Sequence, residues 1–173
     1  MKKLYLLLFA VLTLVSCQQK SPVEEPVADK WNGYQKYLKC GEKTQNLRDK
    51  NNNIIGQVKS GFDNDANFYV KYDCSSYGKQ ITKSEIYAGD KKCMPISKVD
   101  DPKENRFPSK GNHGDGVSEY THQIPCINLP PAGLPGFTYS AHCKYKDNDG
   151  NEHDAWADCD KKFHDKGCGS YDD

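Results

Sequence analysis

Residues 67–73 read NFYVKYD, and this stretch decides the fold class of the chain. Phe68, Val70 and Tyr72 fall on one face of an extended chain, and the residues between them fall on the other. A repeat of two residues is typical of a β-strand that turns one face to a hydrophobic core. The stretch therefore predicts a half-buried strand.

The same pattern extends in both directions from this strand. The turn residues DND at 63–65 precede it, so residues 54–62 and 68–74 are predicted to form a β-hairpin. The turn NDG at 148–150 predicts a second hairpin. Further alternation is seen at residues 84–88, 120–124, 137–145 and 153–159.

These segments amount to about six short strands, with no long helical pattern between them. Residues 90–117 are rich in Lys, Asp, Pro, Gly and Asn, and are interpreted as a long polar connection. The predicted fold is all-β: an antiparallel β-sandwich formed by one domain over residues 31–173.

The beginning of the chain has the pattern of a secretory signal peptide. Lys2 and Lys3 precede an apolar run that is short for a membrane span, and small residues follow it. The sequence Leu14-Val15-Ser16-Cys17 resembles the lipobox of bacterial lipoproteins. That resemblance implies cleavage after residue 16, acylation of Cys17 and attachment to a membrane through the lipid.

A polar segment follows the lipobox. Residues 17–30 contain prolines and a Glu24-Glu25 pair but almost nothing apolar, which predicts a flexible tether between the lipid and the domain. Gln18 stands where an aspartate signals inner-membrane retention in proteobacterial lipoproteins. The expected location is therefore the cell envelope, lipid-anchored in the outer membrane. The Glu24-Glu25 pair resembles the acidic tether that accompanies export to the outer face in Bacteroidota lipoproteins, which implies that face.

Charge and cysteine content narrow the class of protein. Loss of Lys2 and Lys3 with the signal peptide leaves 22 of the 24 basic residues against 24 acidic ones, a balance that argues against nucleic-acid binding. Seven cysteines follow Cys17, so an oxidising envelope predicts a disulfide cross-linked domain with one odd thiol. Cys159 and Cys168 are the predicted pair, because they enclose a short polar loop.

Several motifs together resemble a β-rich module that recurs in secreted and surface proteins of Bacteroidota. They are SEIYAG at 84–89, RFP at 106–108, residues 120–125, YSAH at 139–142 and AWA at 155–157. The chain departs from the module at His122, where an aromatic residue is usual. The resemblance implies a β-rich fold and an envelope location, and the module has no established activity.

The sequence predicts no catalytic residues, no metal site and no cofactor. The five histidines lie near four cysteines, but no Cys-x-x-Cys or His-Glu-x-x-His spacing occurs. Residues 147–152, DNDGNE, resemble the start of a calcium loop, but a hairpin turn is the favoured interpretation. The histidines are His113, His122, His142, His153 and His164.

Aromatic residues on the predicted outer faces of strands favour a binding surface. Tyr69, Tyr87 and Trp156 are the candidates, with Asp154 and Asp158 flanking the tryptophan. The competing interpretation is that tyrosines fill the core of a domain poor in leucine. The predicted function is a non-enzymatic binding module for a glycan or protein. The alternatives are a small metal-dependent or hydrolytic enzyme that uses the His/Asp-rich last third, and a structural, inhibitor or immunity lipoprotein.

Overall fold

The structure, a computed structural model, describes residues 42–90, 93–95, 103–129 and 137–157. The described ranges contain no α-helix, which confirms the all-β prediction. The strands are β1 (Lys43–Asp49), β2 (Ile54–Phe62), β3 (Asn67–Asp73), β4 (Gln80–Asp90), β5 (Ser109–Val117), β6 (Glu119–Pro125), β7 (Phe137–Lys146) and β8 (Glu152–Ala157). Short 3-10 helices span Ser75–Tyr77, Glu104–Arg106 and Cys126–Asn128.

All of these strands join one antiparallel sheet, in the order β5-β4-β7-β8-β1-β2-β3-β6. Both predicted hairpins are confirmed, because β2 pairs with β3 and β7 pairs with β8. The pairing of Phe62 with Phe68 brings two core rings together, 5.2 Å apart between centroids. Two strands were not predicted: β1, and β5, which lies inside the supposed polar connection 90–117.

Three hairpin turns share the pattern Asp-x-x-x-Asn, at residues 49–53, 63–67 and 147–151. In each turn the aspartate Oδ1 accepts the backbone N–H of the second and fourth residues after it, at 2.8 to 2.9 Å. The local hydrogen bonds of aspartate stabilise such turns. The segment 147–152 is therefore a hairpin turn, as the sequence predicts, and its first carboxylate is committed to the turn.

The residue before the asparagine has a positive φ in all three turns. The φ angles are 67° at Asn52, 62° at Ala66 and 83° at Gly150. This left-handed conformation costs an L-residue about 1–2 kcal/mol, and asparagine and glycine tolerate it better than alanine. Ala66 is thus the strained member of the set.

Replacing Ala66 with glycine is expected to raise the free energy of unfolding by about 0.5–1 kcal/mol, because glycine relieves the positive φ. Urea denaturation measures the change. The matched control is Gly150→Ala, which places alanine in the same conformation and should lower stability by a similar amount. A loss of stability in Ala66→Gly would contradict this account of the turn.

The core lies within the curled sheet and is unusually rich in tyrosine. Tyr72 and Tyr139 are fully buried together with Phe68, whose ring centroid lies 5.5 Å from that of Tyr139. The Tyr72 hydroxyl lies 3.0 Å and 2.9 Å from the carbonyl oxygens of Glu85 and His142, so it is satisfied inside the core. Tyrosine rings therefore fill this core, and the Tyr72 hydroxyl contacts backbone carbonyl oxygens of the opposite strands.

β5 and β6 are the edges of the sheet, and only Ser118 separates them along the chain. β5 pairs with β4, whereas β6 pairs with β3, so one extended segment serves both edges. Side chains link the two edges, since Ser109 Oγ on β5 lies 2.8 Å from His122 Nδ1 on β6. The sheet is consequently nearly closed into a barrel.

The described cysteines are of two kinds: Cys74, Cys126 and Cys143 are buried in the core, whereas Cys93 is half-buried outside it. Cys74 and Cys143 are both buried thiols, so the prediction of one odd thiol is wrong. Burial raises the pKa of Cys74 to about 12 and that of Cys143 well above its usual value. Cys93 is disulfide-bonded. The predicted pair Cys159 and Cys168 lies outside the described residues.

The predicted signal peptide (1–16), the lipobox with Cys17 and the tether (17–30) also lie outside the described residues. Within the ranges that are described, no helix is long and apolar enough to cross a bilayer.

Candidate functional site

A row of side chains crosses β4, β7 and β8 on the face of the sheet opposite the core. Glu85 pairs with His142, and His142 pairs with Trp156, in the registers of the adjacent strands. Their chain neighbours Ile86, Ala141 and Ala155 point into the core. Because successive residues of a strand face opposite sides, the three paired side chains lie side by side on the outer face.

Glu85 is the charged centre of this row, and it is fully buried. Its Oε2 lies 3.1 Å from His142 Nδ1. Its Oε1 lies 2.8 Å from Lys83 Nζ and 3.6 Å from Lys110 Nζ, but accepts no hydrogen bond of good geometry. The two ammonium groups therefore compensate the buried charge by proximity, while one lone-pair direction of the carboxylate stays unused.

His142 is held from both sides. Its exposed fraction is 1%, and its Nε2 lies 3.0 Å from Oδ1 of Asp154, whose side chain is 59% exposed. The indole of Trp156 lies against the imidazole, with ring centroids 4.5 Å apart. Two carboxylates and the adjacent indole thus fix the orientation of His142, and His142 in turn packs beside Trp156.

A small aromatic cluster covers part of the same face. Tyr87, Met94 and Phe107 are buried together, and Trp156 packs against them. The Phe107 and Trp156 rings meet edge to face at 6.2 Å. Phe107 and Met94 belong to the connection between β4 and β5, so this connection, which the sequence predicts to be too polar for a core, contributes two buried side chains.

The structure brings together three of the five predicted binding residues. Tyr87, Trp156 and Asp154 share the outer face, although Tyr87 is only 8% exposed and acts mainly as packing. Tyr69 lies apart on β3, where its hydroxyl donates to Glu42 Oε2 at 3.0 Å. Asp158 lies outside the described residues.

A second polar cluster occupies the closing edge of the sheet. The Ser84 hydroxyl lies 2.8 Å from Nε2 of His122 and 2.9 Å from Nε2 of His113, and Ser109 Oγ contacts the other ring nitrogen of His122. The Tyr120 ring packs against His113 and His122, with centroids 4.2 and 4.9 Å away. Burial lowers the pKa of His113, and lowers that of His122 to about 4 with a further contribution from His113, so both imidazoles are neutral at pH 7.

The remaining described histidine, His153, lies on β8 and contacts the turn that precedes this strand. Its Nε2 lies 2.7 Å from Oδ2 of Asp147. That contact, with the backbone N–H groups of the turn, lowers the pKa of Asp147 to about 2. Because this value lies below the ordinary pKa near 4, Asp147 favours the folded state above pH 4 and loses that contribution as the pH falls towards 2.

A pH titration tests this assignment. We expect the carboxyl carbon NMR signal of Asp147 to titrate with a midpoint near 2, against an ordinary value near 4. Replacing His153 with glutamine removes the contact that lowers the Asp147 pKa most, so the midpoint should move to higher pH. An Asp147 midpoint near 4 in the unaltered protein would contradict the contact.

Glu85, His142 and Phe107 are members of the outer-face site that the sequence pattern does not single out. Two signals were available: Glu85 and His142 alternate with core residues in predicted strands, and the motifs SEIYAG, RFP and YSAH contain all three residues. No described serine or cysteine hydrogen-bonds to His142, so this part of the chain lacks a nucleophile–base pair there. Within the described ranges, no three His, Cys, Asp or Glu side chains converge in a metal-binding group.

The outer face therefore presents a half-buried indole, an exposed carboxylate and two lysines around a buried acid. We compared the chain with family models, curated proteins and solved structures, and found no match in any of them.

Proposed function

We propose that this protein is a lipid-anchored envelope lipoprotein that binds a glycan or another protein, without catalysis, through the outer face around Trp156. The observation that carries the proposal is the fixed arrangement of Trp156 beside His142. The imidazole is held between Glu85 and Asp154 at 3.1 and 3.0 Å, so the indole packs against a rigid neighbour. Binding sites gain affinity when such supporting contacts lock the contacting groups in advance.

The chemistry of the face suits recognition. An indole with a half-buried ring offers apolar area at little cost in side-chain entropy, and it is enriched at recognition surfaces. Asp154 stands two residues before Trp156 on the same strand face, with an accessible carboxylate that can accept hydrogen bonds. Lys83 and Lys144, with side chains 30% and 35% exposed, add donors nearby.

The location is part of the same proposal. Acylation at Cys17 attaches the chain to the outer membrane, and residues 17–30 separate the domain from the bilayer. Two or three acyl chains make such attachment effectively permanent, because each buried methylene contributes about 0.8 kcal/mol. A tethered domain of this kind meets its ligand at the membrane surface.

We further propose that the curled sheet is a β-sandwich in its packing and that disulfides cross-link it. Contacts between opposite parts of the sheet support the sandwich: the Tyr72 hydroxyl on β3 reaches backbone carbonyls on β4 and β7, and Ser60 on β2 hydrogen-bonds to Tyr139 on β7 at 3.0 Å. These contacts resemble those between the inner faces of two packed layers.

Binding by a Trp156→Ala variant tests the proposal. The mature protein is screened against purified envelope polysaccharides and purified envelope proteins, and a ligand retained by the unaltered protein is expected to bind Trp156→Ala about thirtyfold more weakly, as for a 2 kcal/mol hot spot. Tyr69→Ala is the matched control, since Tyr69 is an aromatic residue on the distant strand β3. Equal binding by Trp156→Ala, or no binding to any member of the panel, would contradict the proposal.

A further inference from the structure

The outer face of the sheet carries a row of paired residues that extends beyond His142 and Trp156 on both sides. On one side the row reaches β1, because Trp156 pairs with Arg48 in the register of β1 and β8. The next pair in this register, Leu47 and Ala157, is buried in the core, so Arg48 and Trp156 both face outwards. In the strand order β5-β4-β7-β8-β1, the row is Lys110, Glu85, His142, Trp156 and Arg48.

Arg48 lies directly beside the indole. Paired residues of adjacent antiparallel strands have Cβ atoms about 4.5–5.5 Å apart, so the guanidinium is within reach of a group that contacts the Trp156 ring. Arg48 is half-buried, and its Nη1 donates a hydrogen bond to the carbonyl oxygen of Asn52, at 3.0 Å, in the turn that follows β1. A guanidinium oriented in this way presents a planar fork of N–H groups that matches the two oxygens of a carboxylate.

The charges of this face favour an anionic ligand. Lys83 and Lys110 lie 2.8 and 3.6 Å from the same buried carboxylate oxygen of Glu85, so two positive charges face one negative charge. Arg48 and Asp154 add one charge of each sign, so the positive excess remains. The exposed ion pair between β7 and β8 on this face is neutral and leaves that excess unchanged. A positive excess around a binding surface attracts anions and disfavours cations.

Asp154 makes a sugar a better ligand for this face than an acidic peptide. Its side chain is 59% exposed and lies two residues before Trp156, about 7 Å away along the same strand face. A carboxylate repels the carboxylates of an acidic peptide, but it accepts hydrogen bonds from hydroxyl groups. The half-buried indole offers flat apolar area to the C–H face of a sugar ring. A sugar that carries both hydroxyl and carboxylate groups therefore suits Arg48, Trp156 and Asp154 together.

We propose that the ligand of this face is an acidic polysaccharide that contains uronic acid, an inference that rests on the proposed function. The uronate carboxylate binds the guanidinium of Arg48, the sugar ring packs on Trp156, and a sugar hydroxyl donates a hydrogen bond to Asp154. The two lysines around Glu85 attract neighbouring carboxylates of the same polysaccharide. Arg48 is the residue that distinguishes a uronate from a neutral sugar.

Calorimetric titration of the mature, detergent-solubilised protein with two pairs of polysaccharides tests the ligand class. Polygalacturonate and alginate carry free carboxylates, and their esterified forms carry the same sugars without the charge. We expect the protein to bind at least one of the two acids, and to bind the corresponding ester about tenfold or more weakly, because hydrogen bonds to a charged group are lost. This comparison uses the unaltered protein, so it does not depend on the folding of a variant.

Variants of Arg48 test its role in recognising the carboxylate. Arg48→Gln should bind the acid about tenfold or more weakly and should bind the ester as the unaltered protein does. Arg48→Lys should have an intermediate affinity for the acid, because lysine keeps the charge but lacks the planar fork. Lys71→Gln is the matched control, since it removes a positive charge from the outer face of the distant strand β3 and should leave binding unchanged.

Equal binding of an acid and its ester, or unchanged binding of the acid by Arg48→Gln, would overturn the uronate ligand. Failure to bind either acid, or equally tight binding of polyglutamate, would also overturn it. These results are distinguishable from a failure of the proposed function through Trp156→Ala. If that variant binds an ester or polyglutamate more weakly, the face still binds a glycan or protein and only the ligand class is wrong. If it binds every retained ligand as the unaltered protein does, the face itself is wrong.

Discussion

Replacing His142 with alanine is expected to lower the free energy of unfolding by about 3–5 kcal/mol. His142 is 1% exposed, and its removal takes away the hydrogen bond to the fully buried Glu85 carboxylate. Lys83 still faces the other carboxylate oxygen, but Oε2 is left without its partner. The substitution also leaves a cavity and removes the imidazole that packs against Trp156. Urea denaturation monitored by tryptophan fluorescence measures both consequences.

Two further variants make this result specific. Lys144→Ala breaks an exposed ion pair with Glu152 on the same sheet face and should cost no more than about 1 kcal/mol. In a double-mutant cycle, Glu85→Gln and His142→Ala should show a coupling energy of about 1–3 kcal/mol, because the side chains are in direct contact. Additive effects would contradict the buried contact on which the outer-face site depends.

Replacing Cys17 with serine is expected to release the protein from the membrane completely. Serine lacks the thiol that receives the acyl chain, and the anchoring energy of about 0.8 kcal/mol per buried methylene disappears with the lipid. The measurement combines the distribution of the protein between membrane and soluble fractions with the intact mass, which should lose the acyl groups.

The control for this variant is Cys40→Ser, which replaces a cysteine beyond the tether and should leave the protein in the membrane fraction with its lipid mass intact. Retention of Cys17→Ser in the membrane with an unchanged mass would contradict the lipid anchor. It would not bear on the candidate site, whose contacts join β4, β7 and β8.

The strands predicted from sequence are those whose alternation creates an apolar face. β3 is the clearest case, because Phe68, Val70 and Tyr72 are all buried in the core. β1 and β5 do not have an apolar face of this kind. β1 has one buried apolar residue, Leu47, and β5 is rich in glycine and polar residues. Both strands form because neighbouring strands satisfy their backbone hydrogen bonds. This pairing depends on the tertiary structure, so the local β-propensity of the sequence does not predict it.

The candidate site was predictable only in part, for a similar reason. Trp156 stands out as one of two tryptophans in the chain, and Asp154 lies close to it in sequence. Glu85 and His142 are 57 residues apart, and only the register of β4 against β7 brings them together. Pairing between distant strands sets that register, so the contact of the buried acid with His142 could not be read from either strand alone.

The most direct measurement of the central claim is amide hydrogen exchange of the mature protein with and without a panel ligand that it retains. The account predicts that the ligand slows exchange in β7 and β8, the strands that carry His142 and Trp156, and leaves β2 and β3 unchanged. Protection confined to β2 and β3, with β7 and β8 unaffected, would contradict a binding face at Trp156.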